Sequence, residues 1–202
     1  MADTVETKKE AKKNSLLAAA QSLFLEKGIS KTSISEITDR AKVAKGTFYL
    51  YFTDKEDLHR QLIYQISYDV IQKAFNYTEY NPSDSFADKV VCFADWIINY
   101  FTEHTEILRL IRRGFSWPMI SDQLVSSGFQ EHSEDPLWQA IFSRIQDADV
   151  IKSLTPQELF NTFYLIVEMC GIVCYSSIIE KKPDTIENIK PLLYSMIRKM
   201  LS

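Results

Sequence analysis

The run Lys45-Gly46-Thr47-Phe48-Tyr49-Leu50-Tyr51-Phe52-Thr53 sets a cation, hydroxyls and phenols side by side with no carboxylate among them. Such groups donate hydrogen bonds to phosphate oxygens and base edges, so the chemistry open to them is non-covalent recognition of a polyanion. Phe48 and Phe52 stand four apart on the helix face of Ala44 and are predicted to point inward, while Lys45, Thr47, Tyr49 and Tyr51 point elsewhere. Gly46 costs roughly 1 kcal/mol relative to alanine in a helix interior, and close approach of a partner is a reason to keep it.

Other reactive side chains assemble no comparable site. The histidines are His59, His104 and His132, none of them set with a serine or cysteine in a nucleophile motif. The five scattered glycines form no phosphate-cradling loop. Cys170 and Cys174 are four apart on a predicted helix, a spacing open to a shared metal. No histidine lies near them and no C-x-x-C pair exists, so they and Cys92 are taken as buried thiols. The chain is therefore expected to be no enzyme and to hold neither metal nor cofactor. With no signal peptide and no uninterrupted apolar run of about 18 residues, a reduced cytoplasmic protein with no membrane contact is expected.

The recognition segment needs a frame. Ser33-Ile34-Ser35-Glu36 is a capping box that starts a helix near Ser33, with Ile34, Ile37 and Ala41 as its apolar positions. That helix must end near Ala41 to Lys42, with Val43 plugging the turn, for Ala44 to Phe52 to cross it as a second helix. Upstream, Leu16, Leu17, Ala20, Leu23 and Phe24 mark a helix from about Lys9 to Lys27, closed by Gly28. Downstream, Thr53-Asp54-Lys55-Glu56 is a second capping box, opening a long helix through Leu58, Leu62, Ile66 and Val70. The result is a helix-turn-helix whose second helix leads into a major groove.

These residues resemble the DNA-binding domain of the tetracycline-repressor (TetR) family of bacterial transcription regulators. The match runs through Leu17-x-x-Ala20-x-x-Leu23-Phe24-x-x-x-Gly28, Thr32-Ser33-Ile34-x-Glu36-Ile37, Ala41-x-Val43-x-Lys45-Gly46-Thr47-Phe48-Tyr49-x-Tyr51-Phe52 and Lys55-Glu56-Asp57-Leu58. Thr38 and Ala44 depart from it, standing where the family often has alanine and serine. The resemblance implies DNA contacts from Thr32, Ser33, Ala44, Lys45, Gly46, Thr47, Tyr49, Tyr51 and Lys55, the last suited to a phosphate. It also implies a homodimer on a palindromic double-stranded operator, released by a small-molecule inducer held in the C-terminal domain.

Charge divides in the same way. Residues 1–60 hold 11 Lys and Arg against 9 Asp and Glu, a balance of +2, whereas residues 61–202 hold 12 against 18, a balance of −6; only the first part suits a polyanion. Two domains are expected: 1–60, with residues 1–8 disordered, and a helical ligand-binding and dimerisation domain over 61–202. A break from Tyr77 to Ser85, centred on Pro82, separates helices predicted at 86–104, 106–113, 118–127, 135–148, 156–180 and 185–201. With no strand-type alternation, the chain is predicted to be all-α.

The segment from Leu159 to Ile179 is apolar around much of its circumference and must be covered on several sides. Phe163, Val167, Cys170, Cys174 and Ile178, with Leu193 and Ile197 of the last helix, are candidate dimer contacts in a two-fold four-helix bundle; an ordinary intrachain core helix is the alternative. Trp96, Tyr100, Phe115, Trp117, Trp138 and Phe142 are candidate pocket aromatics, although aromatic stripes also build plain cores. Tyr164 and Glu168 share a polar face of the same helix, and the Glu168 carboxylate must reach water, a partner subunit or a ligand. An adaptor that binds DNA through its first domain and a protein through its second is the competing function.

Overall fold

Leu16, Leu17, Ala20, Leu23 and Phe24 are all buried, so the first helix presents the apolar stripe its spacing predicts. The computed structural model describes residues 2–81, 85–111 and 155–201. These fall into two compact units, Met1–Gln65 and Ile66–Ser202, and no strand occurs among the described residues. The chain is all-α, with a helix-turn-helix in its first unit.

In that unit α1 spans Ala2–Lys27. Residues 2–8, expected to be disordered, lie within this helix, which continues into the strong helix formers Lys9, Ala11, Lys12 and Lys13. Gly28 closes α1 at φ 83°, and its amide donates to the Phe24 carbonyl at 2.9 Å. In α2, Ile34–Arg40, the capping box is present: the Glu36 amide donates to Ser33 Oγ at 3.3 Å and the Ser33 amide to the Glu36 carboxylate at 2.9 Å.

The turn after α2 is a Schellman closure. Val43 N–H donates to Thr38 O at 3.0 Å and Lys42 N–H to Asp39 O at 3.2 Å, with Lys42 at φ 56°. A lysine in this left-handed position meets a steric penalty of roughly 1–2 kcal/mol that glycine does not. Lys42→Gly is therefore expected to raise the unfolding free energy by about 1 kcal/mol in urea denaturation, and an unchanged or lower midpoint would contradict the strain.

The crossing helix α3 is regular only over Lys45–Phe48, shorter than the expected Ala44 to Phe52. Beyond it, Leu50 N–H donates to Thr47 O at 3.2 Å and Tyr51 N–H to Phe48 O at 3.0 Å, tightened i→i−3 bonds, before Phe52 N–H returns to Phe48 O at 3.0 Å. Successive aromatic residues lose rotamer freedom against the preceding turn and favour an early end. Phe48 and Phe52 nevertheless both stay buried, their ring centroids 5.5 Å apart.

Helix α4, Lys55–Tyr80, is capped by Asp54, one residue past the expected Thr53. Asp54 Oδ1 accepts from the Asp57 amide at 2.6 Å, and Asp57 Oδ2 accepts from the Thr53 amide at 2.9 Å; Asp54 and Asp57 replace Thr53 and Glu56. Aspartate caps at least as well as threonine, so both registers satisfy the local pattern. The helix also persists through Tyr77 to Tyr80, because the break is set by Asn81, which precedes Pro82.

Among its described residues the second unit contains the rest of α4 and four further helices: α5, Phe86–Glu103; α6, Thr105–Ile111; α7, Pro156–Cys174, widened into a π-helical turn over Tyr175–Glu180; and α8, Ile186–Met200. A capping box between Thr155 and Glu158, with Pro156 in the first turn, starts α7. Helices α5, α7 and α8 pack against one another, and α6 packs on the π turn. Their core holds Ile97, Ile98 and Phe101 of α5, Leu108 of α6, Ile166, Cys170 and Cys174 of α7, and Leu193 and Ile197 of α8.

Polar contacts fix α8 along α5. Arg198 Nε donates to Asp88 Oδ1 at 2.8 Å, Lys190 Nζ to Asp95 Oδ1 at 3.0 Å, and the Tyr194 hydroxyl also bonds Asp95. Burial raises the Asp95 carboxyl, but the Tyr194 and Lys190 donors outweigh it and hold the group below the usual carboxylate range. Asn161–Glu180 is long and apolar enough to cross a membrane by length and composition, a length of apolar helix that Glu168 conceals in the sequence. It packs on α5 and α8.

Candidate nucleic-acid interface

Two ion pairs hold α2 against α1 and remove their own charges from play. Lys27 pairs with Glu36, and Arg40 grips Glu26 while donating to Ser22 Oγ at 2.8 Å. The Lys27 ammonium and then the Ser33 amide lower the Glu36 carboxyl to about 2. With these acids engaged, what remains outward around the turn and α3 is mainly cationic, hydroxylic and aromatic, beside an exposed Asp39 at the end of α2.

Ala44, Lys45, Gly46 and Tyr49 are exposed, Thr47 and Tyr51 are half-buried, and Ser33 is exposed at the start of α2. The structure thus brings most of the sequence candidates to one stretch of surface. Ala44 caps α3 in extended conformation without any side-chain bond, the consequence of its missing hydroxyl. Thr38, the other departure from the family pattern, is buried and donates its hydroxyl to Ser35 O at 2.9 Å. A Cβ built on Gly46 meets nothing within 4 Å, so no packing among the described residues requires glycine there.

Thr32 and Lys55 occupy a different position. Thr32 is buried and its hydroxyl donates to Gly28 O at 2.9 Å. Lys55 Nζ donates to Ile29 O at 2.8 Å and Thr32 O at 2.9 Å, spending two of its three protons on the α1–α2 loop. Both residues hold that loop's shape. Lys55→Met keeps the aliphatic stem and orphans two carbonyls, so a loss of about 1–3 kcal/mol in denaturant-measured stability is expected; a loss under about 0.5 kcal/mol would show that the carbonyls do not depend on the ammonium.

Three further exposed residues of this unit were missed by sequence reasoning. Lys31 and Lys42 are exposed and have no acidic partner among the described residues, and Leu50 is 75% exposed. The left-handed turn that presents Lys42 leaves no glycine in the sequence to announce it. Leu50 falls between two tyrosines, where an apolar residue is ordinarily taken for core.

In the second unit Trp96 and Tyr100 stack at 5.4 Å and 14°, and His104 lies 4.4 Å beyond Tyr100, an aromatic ladder along one side of α5. Burial first, then the charges of Glu106 and Asp69, raise the Tyr100 phenol. Burial and the Glu168 carboxylate likewise raise Tyr164, which pairs these two residues on α7. Trp117, Phe115, Trp138 and Phe142, with the helices expected over 118–127 and 135–148, lie outside the described residues.

The candidate dimer contacts lie mostly inside their own unit. Phe163, Val167, Cys170, Cys174, Leu193 and Ile197 are buried within the unit itself, and Ile178 is half-buried. Burial pushes the Cys170 thiol up to about 12 and the Cys174 thiol higher still, so neither is a reactive thiolate. An all-round apolar helix does not reveal which side its own chain covers. The uncovered sides carry Leu165 and Ile172 on α7 and Leu192, Met196 and Met200 on α8, all exposed.

Residues 16–62 match the sequence model described as bacterial regulatory proteins, tetR family. An uncharacterized HTH-type transcriptional regulator of Bacillus subtilis, YvdT, is 51% identical over 43 residues, 21% of this chain and 22% of that protein. The HTH-type transcriptional repressor BepR of Brucella suis is 29% identical over 90 residues, 42% of this chain and 43% of the repressor. The chain thus spans less than half the length of these relatives. The crystal structure of the transcriptional regulator FadR from Bacillus subtilis in complex with stearoyl-CoA covers 92% of this chain and 97% of its own, with a TM-score of 0.56 at 13% identity, a likeness of fold.

Proposed function

From the match of residues 16–62 to the tetR family of bacterial regulatory proteins, we propose that this chain is a transcriptional regulator, acting as a repressor, that binds a palindromic operator as a homodimer and is released by a small-molecule inducer. Its matched relatives are regulators and not enzymes. The observation that carries the reading is the outward set Ala44, Lys45, Gly46 and Tyr49, preceded by the exposed Lys42, on a helix-turn-helix in which Glu26 and Glu36 are already paired.

Lys45 is assigned to phosphate, with Thr47, Tyr49 and Tyr51 at or near base edges and sugars; backbone contacts fix register and base contacts carry sequence. A second copy covers the outward apolar residues of α7 and α8, giving the two-fold symmetry that a palindrome requires. Its two recognition helices then lie about one DNA turn apart, roughly 34 Å. The inducer is an apolar or aromatic compound recognised in the C-terminal unit near the Trp96–Tyr100 stack. It favours an arrangement in which that spacing is lost, a shift of population between two states. Helix α4 carries the coupling because its residues belong to both units.

Selection from random duplex DNA with the purified full chain tests this, followed by salt titration on the enriched sequence. An enriched palindrome occupied by one dimer supports the reading, and Lys45→Ala then lowers the salt slope by about one unit for each phosphate it leaves without its cation. Binding with no enrichment overturns it in favour of a DNA-localised adaptor. Thermal shift with apolar and aromatic compounds, fatty acyl-CoA among them, tests the inducer separately.

A further inference from the structure

Residues 7–15 of α1 bury no side chain. Lys8, Lys9 and Lys12 are exposed and Lys13 half-exposed, and burial begins only at Leu16. At 100° per residue the four lysines fall within an arc of about 140°, so they form one face. Glu10 is the sole acid in this stretch, and none of the four lysines has an ion-pair partner among the described residues. Two like-charge pairs, Lys8 with Lys12 and Lys9 with Lys13, sit at i,i+4, an arrangement that weakens an isolated helix by a few tenths of a kcal/mol per pair. A polar helical segment that packs on nothing gains no stability from burial. Glu6 and Glu10, three residues before Lys9 and Lys13, offset part of this repulsion, but Lys8 and Lys12 have no acid three or four residues away on either side, and that part of the face favours an anion outside the chain.

We propose that the N-terminal part of α1 is a second DNA-contacting element, a basic arm whose Lys8, Lys9, Lys12 and Lys13 bind phosphates of the duplex flanking each half-site. The inference rests on the DNA-binding reading above. Duplex DNA is the occupant because the arm belongs to the same unit as Lys31, Lys42 and Lys45, and because ammonium groups spread along a helix face complement a phosphate backbone without reading bases. The arm adds affinity and salt dependence and no sequence preference.

The test compares the full-length wild type with K8Q/K9Q/K12Q/K13Q and K8R/K9R/K12R/K13R. Each is titrated with salt on the selected operator and on a random duplex of equal length. The glutamine variant is expected to lose about 2 or more units of salt slope per bound dimer and to weaken on both duplexes by about tenfold or more, leaving their affinity ratio unchanged. The arginine variant retains the wild-type slope. A smaller change in slope, an altered ratio, or an arginine variant as weak as the glutamine one overturns the arm. So does a salt-dependent change in oligomeric state without DNA, which would make the acidic second unit of another copy the occupant. Failure of the wild type to select an operator is a separate result: it removes the repressor reading, and the arm survives it if the glutamine substitutions still flatten the salt slope on random duplex.

Discussion

If the proposed dimer forms through α7 and α8, the wild type is expected to sediment as a dimer at micromolar concentration, and a chain carrying Leu192→Glu and Met196→Glu is expected to sediment at 23.4 kDa and to lose on the order of 10³-fold or more in operator affinity. Leu192 is 63% exposed and Met196 45%, so neither contributes its full area to the core of its own unit. Burying such a side chain against a second copy stabilises the pair by roughly 1–2 kcal/mol each, and symmetry doubles every contribution. The substitution removes that gain and sets carboxylates against an apolar surface, which costs more than the missing apolar burial alone. The operator effect follows because two linked half-site contacts exceed either one alone by a large factor. The exposed positions also keep the variant interpretable, since helicity by circular dichroism is expected to stay at the wild-type level. A dimer that persists through both substitutions would remove α8's outward stripe from the interface.

The same helices show where sequence pattern runs out. Amphipathic periodicity identified α1, α2, α4, α5 and α8 because each has one apolar side, and the Ser33–Glu36 box is local enough to be legible from four residues. The face of α7 was not legible. With apolar residues all around it, Phe163 and Cys170 are equivalent in the sequence to Leu165 and Ile172, and only the packing of α5 and α8 separates them. The start of α4 was ambiguous for another reason: Thr53 with Glu56 and Asp54 with Asp57 satisfy one local rule in two registers. Lys55 was illegible as a fastener because its acceptors at Ile29 and Thr32 lie 26 and 23 residues away. Within the recognition segment the pattern revealed the inward Phe48 and Phe52 and the outward Lys45 and Tyr49, but not the shortening of α3 that leaves Leu50 in solvent.

Gly46 separates the demands of folding from those of binding, and the two are expected to move in opposite directions in a single variant. Gly46→Ala adds one methyl where nothing stands within 4 Å, in a helix that gains up to about 1 kcal/mol from alanine over glycine. The free protein is therefore expected to become more stable, with a higher denaturation midpoint. The methyl projects from the exposed stretch between Lys45 and Thr47, which the proposed interface brings close to the duplex, so operator affinity is expected to fall by about tenfold or more. Lys45→Ala supplies the contrast: it removes a charge and about one unit of salt slope, whereas Gly46→Ala leaves the slope at the wild-type value because every phosphate keeps its cation. A Gly46→Ala protein that is more stable and binds its operator with undiminished affinity would show that the glycine is only a relic of helix tolerance, and the close approach of α3 to DNA would lose its steric support.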